Sequence, residues 1–328
     1  MSWPARPVAV RVPATSANLG PGYDAVGLAL GLYDAVEARI IPDGVAIEVS
    51  GAGEATAAAG EDHLVIRAMR AAFGVLGGQP PGIGLRCANA IPQGYGLGSS
   101  AGAIVAGLLA ARALAAGAVG RACAQRAGPG RDGPGLTDAE LLQLATRLEG
   151  HPDNVAACLA GGLTIAWASD RGARAARLTP VAGLTPVLCV PEIPLSTAHA
   201  RGLLPAAVPH ADAVANSARA ALLIAALTSD PALLMAGTED YLHQPYRAPA
   251  APATADLVGR LRAAGIPAVV SGAGPSVLAL TVAGLHPGPE AVRPIADGTG
   301  TAWQVRVLEV DRDGAAVQAV PTGSRPAG

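Results

Sequence analysis

Residues 92–102, "PQGYGLGSSAG", constrain the fold more than any other stretch of this chain. They follow the strand-like "GIGLRCANAIP" and pass straight into the apolar "AIVAGLLAARALAAG", so they form a tight link from a strand to a helix. Gly94, Gly96 and Gly98, at alternating positions, open backbone conformations that side chains exclude. A helix beginning at Ser100 adds partial positive charge at its mouth, and converging N–H groups at such a mouth suit a phosphate.

The usual phosphate-binding lysine is missing, because all 23 basic residues are arginines. A P-loop needs its G-K-[ST] lysine and a protein kinase needs a strand lysine, so neither architecture can be built. Length (328 residues) and 51% hydrophobic content favour two domains with a sizeable core. A net charge of −2 without a basic cluster argues against a nucleic-acid partner. The longest apolar run, residues 101–111, stops at Arg112 and is too short to span a bilayer. The opening "MSWPARPVAVRV" lacks the apolar core of a signal peptide, so no membrane contact and a cytoplasmic location are expected. Cys87, Cys123, Cys158 and Cys189 form no C-x-x-C pair and read as reduced thiols used as small apolar residues.

Along the chain, "VAVRVPAT" and "GVAIEVSG" alternate like strands, and "HLVIRAMRAAFGVLGG" has helical spacing with Asp62 as its candidate N-cap. Residues 117–135 are rich in Gly, Pro and Arg without periodicity and read as an insertion. Thr137 and Glu140 form a capping box opening a helix that Gly150 ends. "HPDNVAACLAGGLTIAWAS" then reads as turn, short helix, glycine pair and strand. A strand at "PVLCVP" and helices near 211–227, 231–242 and 255–264 follow. Strands around the "GAGP" turn and at "TAWQVRVLEV" then form an antiparallel sheet covered by helices.

Three glycine-rich segments sit at strand ends: "PATSANLGPGYDAVGLAL" (13–30), the opening loop, and "VVSGAGPSVLAL" (269–280). In this order and spacing they resemble the three signature motifs of the GHMP kinases. "EGHPDNVA" and "DYLHQPYRAP" narrow the resemblance to the homoserine kinase branch, over the whole chain apart from 117–135. The resemblance implies an α+β, two-domain fold. An amino-terminal ATP-binding domain like ribosomal-protein βαβ units (1–168) would precede a ferredoxin-like carboxyl-terminal domain (169–328). The implied activity is direct in-line phosphoryl transfer from ATP to the hydroxyl of L-homoserine, with Mg²⁺, in threonine biosynthesis, by an enzyme that is commonly a homodimer.

Phosphoryl transfer needs a triphosphate cradle, a metal and a positioned acceptor. The resemblance assigns the cradle to Pro92, Gly94, Tyr95, Gly96, Leu97, Gly98, Ser99, Ser100 and Ala101, and the metal to Ser100 and Glu149. A zwitterionic acceptor calls for arginine and carboxylate together. Arg201 and Arg247 are the implied carboxylate clamp, and Asp24 takes the ammonium, with Asn18, Thr197, Asp153, Asn154 and Gly272 in support. Relatives such as mevalonate kinase use an aspartate base where this chain has Asn154, which cannot accept a proton at neutral pH but can orient the hydroxyl. The γ-phosphate or solvent would then receive the proton. His151 either titrates in the catalytic centre or holds the turn. Residues 271–276 would bring a tight turn to the acceptor site, and the segment "EDHLVIRAM" would line the adenine pocket. Departures from the pattern are His63 where Asn is common, Tyr23 for Phe, and Tyr241 for Arg. Two readings compete with this one: a GHMP kinase acting on another alcohol such as mevalonate, and a nucleotide-binding regulator without turnover.

Overall fold

The computed structural model describes residues 6–116 and 136–319. The first alternating stretch forms β1 (Val8–Asn18), which turns through Leu19, Gly20 and Pro21 into β2 (Gly22–Ile41), a 20-residue strand missing from the sequence reading. β3 (Gly44–Gly51), α1 (Leu64–Val75) and β4 (Gly82–Asn89) make a crossover unit in which β3 and β4 pair in parallel. The expected cap at Asp62 is displaced by one residue. His63 is the N-cap of α1, and Asp62 closes a 3-10 turn ahead of it.

Next come α2 (Ser99–Ala115), α3 (Asp138–Glu149) and α4 (Asp153–Ala160), then a hairpin of β5 (Leu163–Ser169) and β6 (Gly172–Leu178). The insertion read at 117–135 lies outside the described residues. α3 carries both halves of its capping box and ends at Gly150, φ 95°, as the local sequence dictates.

The second half comprises β7 (Leu184–Pro191), α5 (Thr197–Gly202), α6 (His210–Thr228), α7 (Leu234–Gly237), α8 (Gln244–Arg247) and α9 (Pro252–Ala263). β8 (Ala268–Val270), β9 (Val277–Val282), α10 (Val292–Asp297), β10 (Trp303–Val307) and β11 (Ala316–Ala319) complete it. The single helix expected near 231–242 is instead a 3-10 turn and the four-residue α7. It stops at Gly237, where a Cβ would stand 2.9 Å from Leu223 N of α6. The Asp240 carboxylate then captures the backbone N–H groups of Leu242, His243 and Gln244, folding the chain into a turn that feeds α8.

The first sheet has the order β11-β1-β2-β4-β3, with the β5–β6 hairpin attached to β2. Val10, Val36 and Leu85 on it pack against Ile66 and Phe73 of α1, Leu108 and Leu114 of α2 and Val155 of α4. The second sheet is antiparallel throughout in the order β10-β7-β9-β8, with helices between β7 and β8 and between β9 and β10. This is the ferredoxin-like arrangement expected for the second half. Its strands alternate strictly. Leu188, Leu278 and Leu280 face Leu28 and Leu223, whereas Val187, Cys189, Val277 and Ala279 face Leu257, Leu261 and Trp303.

The division expected at 168/169 falls within β5. β6 still belongs to the first sheet, because only two residues separate it from its antiparallel partner, and the change of sheet comes between Leu178 and Leu184. The three described cysteines are free and buried, as expected; Cys123 lies outside the described residues. Burial pushes the Cys87 thiol up to about 11 and the Cys189 thiol to about 12. Both should therefore stay unlabelled by iodoacetamide at about pH 8 in the native protein and react once urea unfolds it. Peptide mapping by mass spectrometry reads both states.

Candidate active site

Three loops that are far apart in sequence are stitched into one seam. Thr15 N donates to Leu97 O at 3.0 Å and Gly272 N to Ala17 O at 3.1 Å. Asn18 Nδ2 donates to Gly272 O at 2.8 Å, and Ser271 Oγ donates to Gly96 O at 2.7 Å while lying 2.9 Å from Ser16 Oγ. Gly96 has φ 70°, and a Cβ there would meet Ser271 O at 2.1 Å. Gly96→Ala adds left-handed strain to a backbone clash, and should cost about 3 kcal/mol and weaken nucleotide binding. Urea denaturation and ADP calorimetry measure the two effects; a variant as stable and as tight as wild type would contradict them.

The seam borders a cavity of about 570 Å³, open at one side to the N-terminus of α2. α2 starts at Ser99 on an N-cap glycine, Gly98, with φ 67° and no side-chain cap. Its first N–H groups are thereby left to a ligand. Asp34 fixes the entry to this loop by accepting from Ala90 N at 2.7 Å and Ile91 N at 2.9 Å.

Also on the cavity lining, Ser100 Oγ donates to Glu149 Oε1 at 2.5 Å. Glu149 is the last residue of α3, with a side chain only 9% exposed, and burial raises its pKa against the opposing pull of the Ser100 hydroxyl and His151. A carboxylate so placed at a helix C-terminus is poised for a cation. His151 Nδ1 donates to Asp153 Oδ1 at 2.7 Å, leaving Nε2 3.9 Å from Glu149 Oε1, and the Asp153 hydrogen bond raises the His151 pKa. The same Asp153 oxygen accepts from Asn154 N at 2.8 Å. Thr15, which has no signal in the sequence, donates its hydroxyl to Asn154 Oδ1 at 2.8 Å, so the amide oxygen is engaged and the NH₂ is the group left to donate.

At the far end, Arg201 and Asp24 form a two-pronged pair, Nη2–Oδ1 2.6 Å and Nη1–Oδ2 3.0 Å. Asp24 has φ 54°, and its N–H is held by Asn18 Oδ1 at 2.9 Å. Arg247 is almost completely buried and donates from Nε to Ala200 O of α5 at 3.1 Å. The Tyr23 ring lies beneath both guanidinium groups, 5.7 Å from Arg201 and 5.4 Å from Arg247, so this departure from Phe has a contact to explain it. Its hydroxyl accepts from Arg201 Nη1 at 3.1 Å.

The opposite end is apolar, lined by Val12, Val36, Val65, Cys87 and Ala106, with His63 among them. Burial lowers the His63 pKa, and its buried Nδ1 has no hydrogen-bond partner. Of the residues expected at the site, Tyr95 and Ala101 do not line the cavity. The Tyr95 hydroxyl turns away to donate to Glu192 O at 2.7 Å, and Ala101 faces the first core. All the other expected residues, from Asn18 to Gly272, line it.

Models of two families match the chain, "GHMP kinases N terminal domain" over residues 63–162 and "GHMP kinases C terminal" over residues 220–296. The homoserine kinase of Streptomyces coelicolor is 52% identical over 317 residues, covering 97% of this chain and 96% of that one. The chain belongs to the homoserine kinase family of the GHMP kinases. The family member from Streptomyces avermitilis is 51% identical, over 94% of this chain and 95% of its own. Among solved structures, the homoserine kinase of Cytophaga hutchinsonii superposes with a TM-score of 0.80 at 27% identity, covering 95% of this chain and 97% of the other. The two-sheet fold described above is thus that of a homoserine kinase throughout.

Proposed function

We propose that this enzyme transfers the γ-phosphoryl group of ATP to the side-chain hydroxyl of L-homoserine, giving O-phospho-L-homoserine and ADP, in threonine biosynthesis. One observation carries the reading. A single cavity joins a glycine cradle at a helix mouth to the Asp24–Arg201–Arg247 group, whose adjacent opposite charges match a zwitterion and would be wasted on an uncharged alcohol. Kinship with homoserine kinases at about half identity supports the same substrate.

In this reading Arg201 and Arg247 hold the carboxylate and Asp24 the ammonium, with Asn18, Thr197 and Gly272 closing the pocket around the acceptor. The backbone of the Pro92–Ser100 loop and the mouth of α2 hold the phosphates. The helix end gives the phosphates only a partial positive charge, so a cation is needed. Ser100 and Glu149 fit Mg²⁺: both offer hard oxygens, and among the described residues no cluster of three His, Cys, Asp or Glu side chains could enclose a metal. When bound, Mg²⁺ supplies neutralisation of the charge shared between the phosphoryl oxygens. Asn154, its Oδ1 held by Thr15, presents its NH₂ to the oxygens at the reaction centre and positions them without taking a proton. The hydroxyl proton therefore passes to phosphate or solvent. Asp153 and His151 brace this turn.

The proposal extends to a cytoplasmic location, which the free, buried thiols of the described cysteines suit, and to a homodimer, which the family resemblance implies. Light scattering tests the dimer. An ADP-release assay with homoserine, mevalonate and galactose tests the substrate: homoserine alone should stimulate turnover, and stimulation by another alcohol without it would overturn the assignment.

A further inference from the structure

The acceptor end contains a buried titratable side chain to which none of the roles above applies. His243 is fully buried at the N-cap of α8, the short helix whose last residue is Arg247. Its Nε2 lies 2.8 Å from Gly20 O, in the turn between β1 and β2, and its Nδ1 lies 3.2 Å from Arg247 Nη1. The ring therefore bridges the first glycine-rich segment and the arginine on the other side of the pocket.

The chemistry of the two partners fixes the ring's state. A carbonyl oxygen only accepts, so Nε2 carries the hydrogen, and a guanidinium only donates, so Nδ1 presents its lone pair. The Gly20 contact puts a hydrogen on Nε2, and the Arg247 contact requires the bare Nδ1 that only the neutral ring offers. A second proton would set an N–H against a cation with no acceptor between them. The surroundings agree: burial lowers the His243 pKa and Arg247 acts in the same direction. Asp240 opposes them from 3.5 Å, as do the Gly20 carbonyl and Asp24, but the Asp240 carboxylate is engaged by the backbone N–H groups that start α8.

Arg247 is thus held on three sides. Nη1 meets His243, Nε meets Ala200 O, and the Tyr23 ring, 5.2 Å from the His243 ring, lies under the guanidinium. The bonds to Ala200 and His243 use two of the five N–H donors of the guanidinium, and the side chain also borders the cavity, where further donors can serve a ligand. A long side chain at the end of a four-residue helix has no such fixed direction of its own.

We propose that His243 is a positioning residue for acceptor recognition: through Nδ1 it locks the fork of Arg247 in register with the Gly20 turn, so that the free edge of the guanidinium meets the acceptor's carboxylate. This rests on the clamp reading of Arg247. His243 touches neither substrate nor nucleotide, and acts through the arginine.

The test compares homoserine with 3-aminopropan-1-ol, which has the same ammonium and hydroxyl but no carboxylate, as a competitive inhibitor. The readout is the ratio of the Ki of the amino alcohol to the KM of homoserine, which isolates recognition of the carboxylate. In His243→Leu the ratio should fall by about 10- to 100-fold, through a higher homoserine KM, with kcat kept within about threefold. His243→Asn, which can place an oxygen near the former Nδ1, should hold the ratio within about threefold of wild type. An unchanged ratio in His243→Leu, or an equal loss in both variants, would overturn the proposal. Arg247→Ala separates the two layers. If it keeps the wild-type ratio, the clamp reading itself fails; if it loses the ratio while His243→Leu keeps it, only the role of His243 fails. Should His243→Leu not fold, ring ¹⁵N spectra of the wild-type enzyme with homoserine bound decide the tautomer between about pH 6 and 8. Hydrogen on Nε2 with a bare Nδ1 supports the proposal, and hydrogen on Nδ1 overturns it.

Discussion

Glu149→Gln is expected to lower kcat by about 100- to 1,000-fold while leaving the protein folded. The substitution preserves the shape and a hydrogen-bonding partner for Ser100, and removes only the charge. Because Glu149 is buried at the C-terminus of α3, beside Ser100 in the first turn of α2, its carboxylate has little solvent to stabilise it and gains most from a cation. The loss should therefore deepen at low Mg²⁺ and be partly recovered at high Mg²⁺. ADP binding without metal should barely change. Steady-state kinetics across a Mg²⁺ series, with calorimetry for ADP, measures both, and turnover within about threefold of wild type at every concentration would remove Glu149 from the metal site.

Asp24→Asn should raise the homoserine KM by about 100- to 1,000-fold, since it removes the ammonium's partner and leaves Arg201 without its two-pronged acceptor. Asparagine tolerates the left-handed backbone that Asp24 adopts, so the loop itself should survive. The diagnostic comparison is 4-hydroxybutyrate, which keeps the carboxylate and hydroxyl but has no ammonium. The variant should bind it at least as well as the wild type does, because the carboxylate no longer competes with Asp24 for Arg201. Parallel weakening of both compounds would instead mean that Asp24 shapes the pocket without touching the ammonium.

The features legible in the sequence are those decided by short stretches. Thr137, Glu140 and Gly150 specify the limits of α3 within a few residues of chain, and the alternation in β1 and β3 identifies strands whose faces differ. β2 escaped notice because Gly22, Gly27 and Gly31 interrupt its pattern. Its Gly27 answers to a distant constraint, since a Cβ there would stand 2.5 Å from Asp153 O of α4. β6, "GARAARL", gives no strand signal because it is an edge strand with little buried area. The site follows the same division. Glycine spacing exposes the cradle, and the motifs bring Arg201, Arg247 and Asp24 into view. Thr15 carries no local signal, for its partner Asn154 is 139 residues away; His243 stands four residues before Arg247, but the contact that ties it to the first glycine-rich segment, Gly20 O, spans 223 residues. Tyr95 and Ala101 turn their side chains elsewhere, so what they can offer the cradle is backbone.

β11 returns to pair with β1 after the whole second sheet has been laid down, with Val8 opposite Ala319. During synthesis the first sheet thus holds an unfinished edge until almost all of the described chain has been made, and β1 displays unpaired N–H and C=O groups in the interval. The ferredoxin-like half is in effect spliced into the ATP-binding half. Neither a nascent amino-terminal half nor a fragment ending before Ala316 is a finished folding unit, and such pieces offer that open strand to any other chain with a free edge.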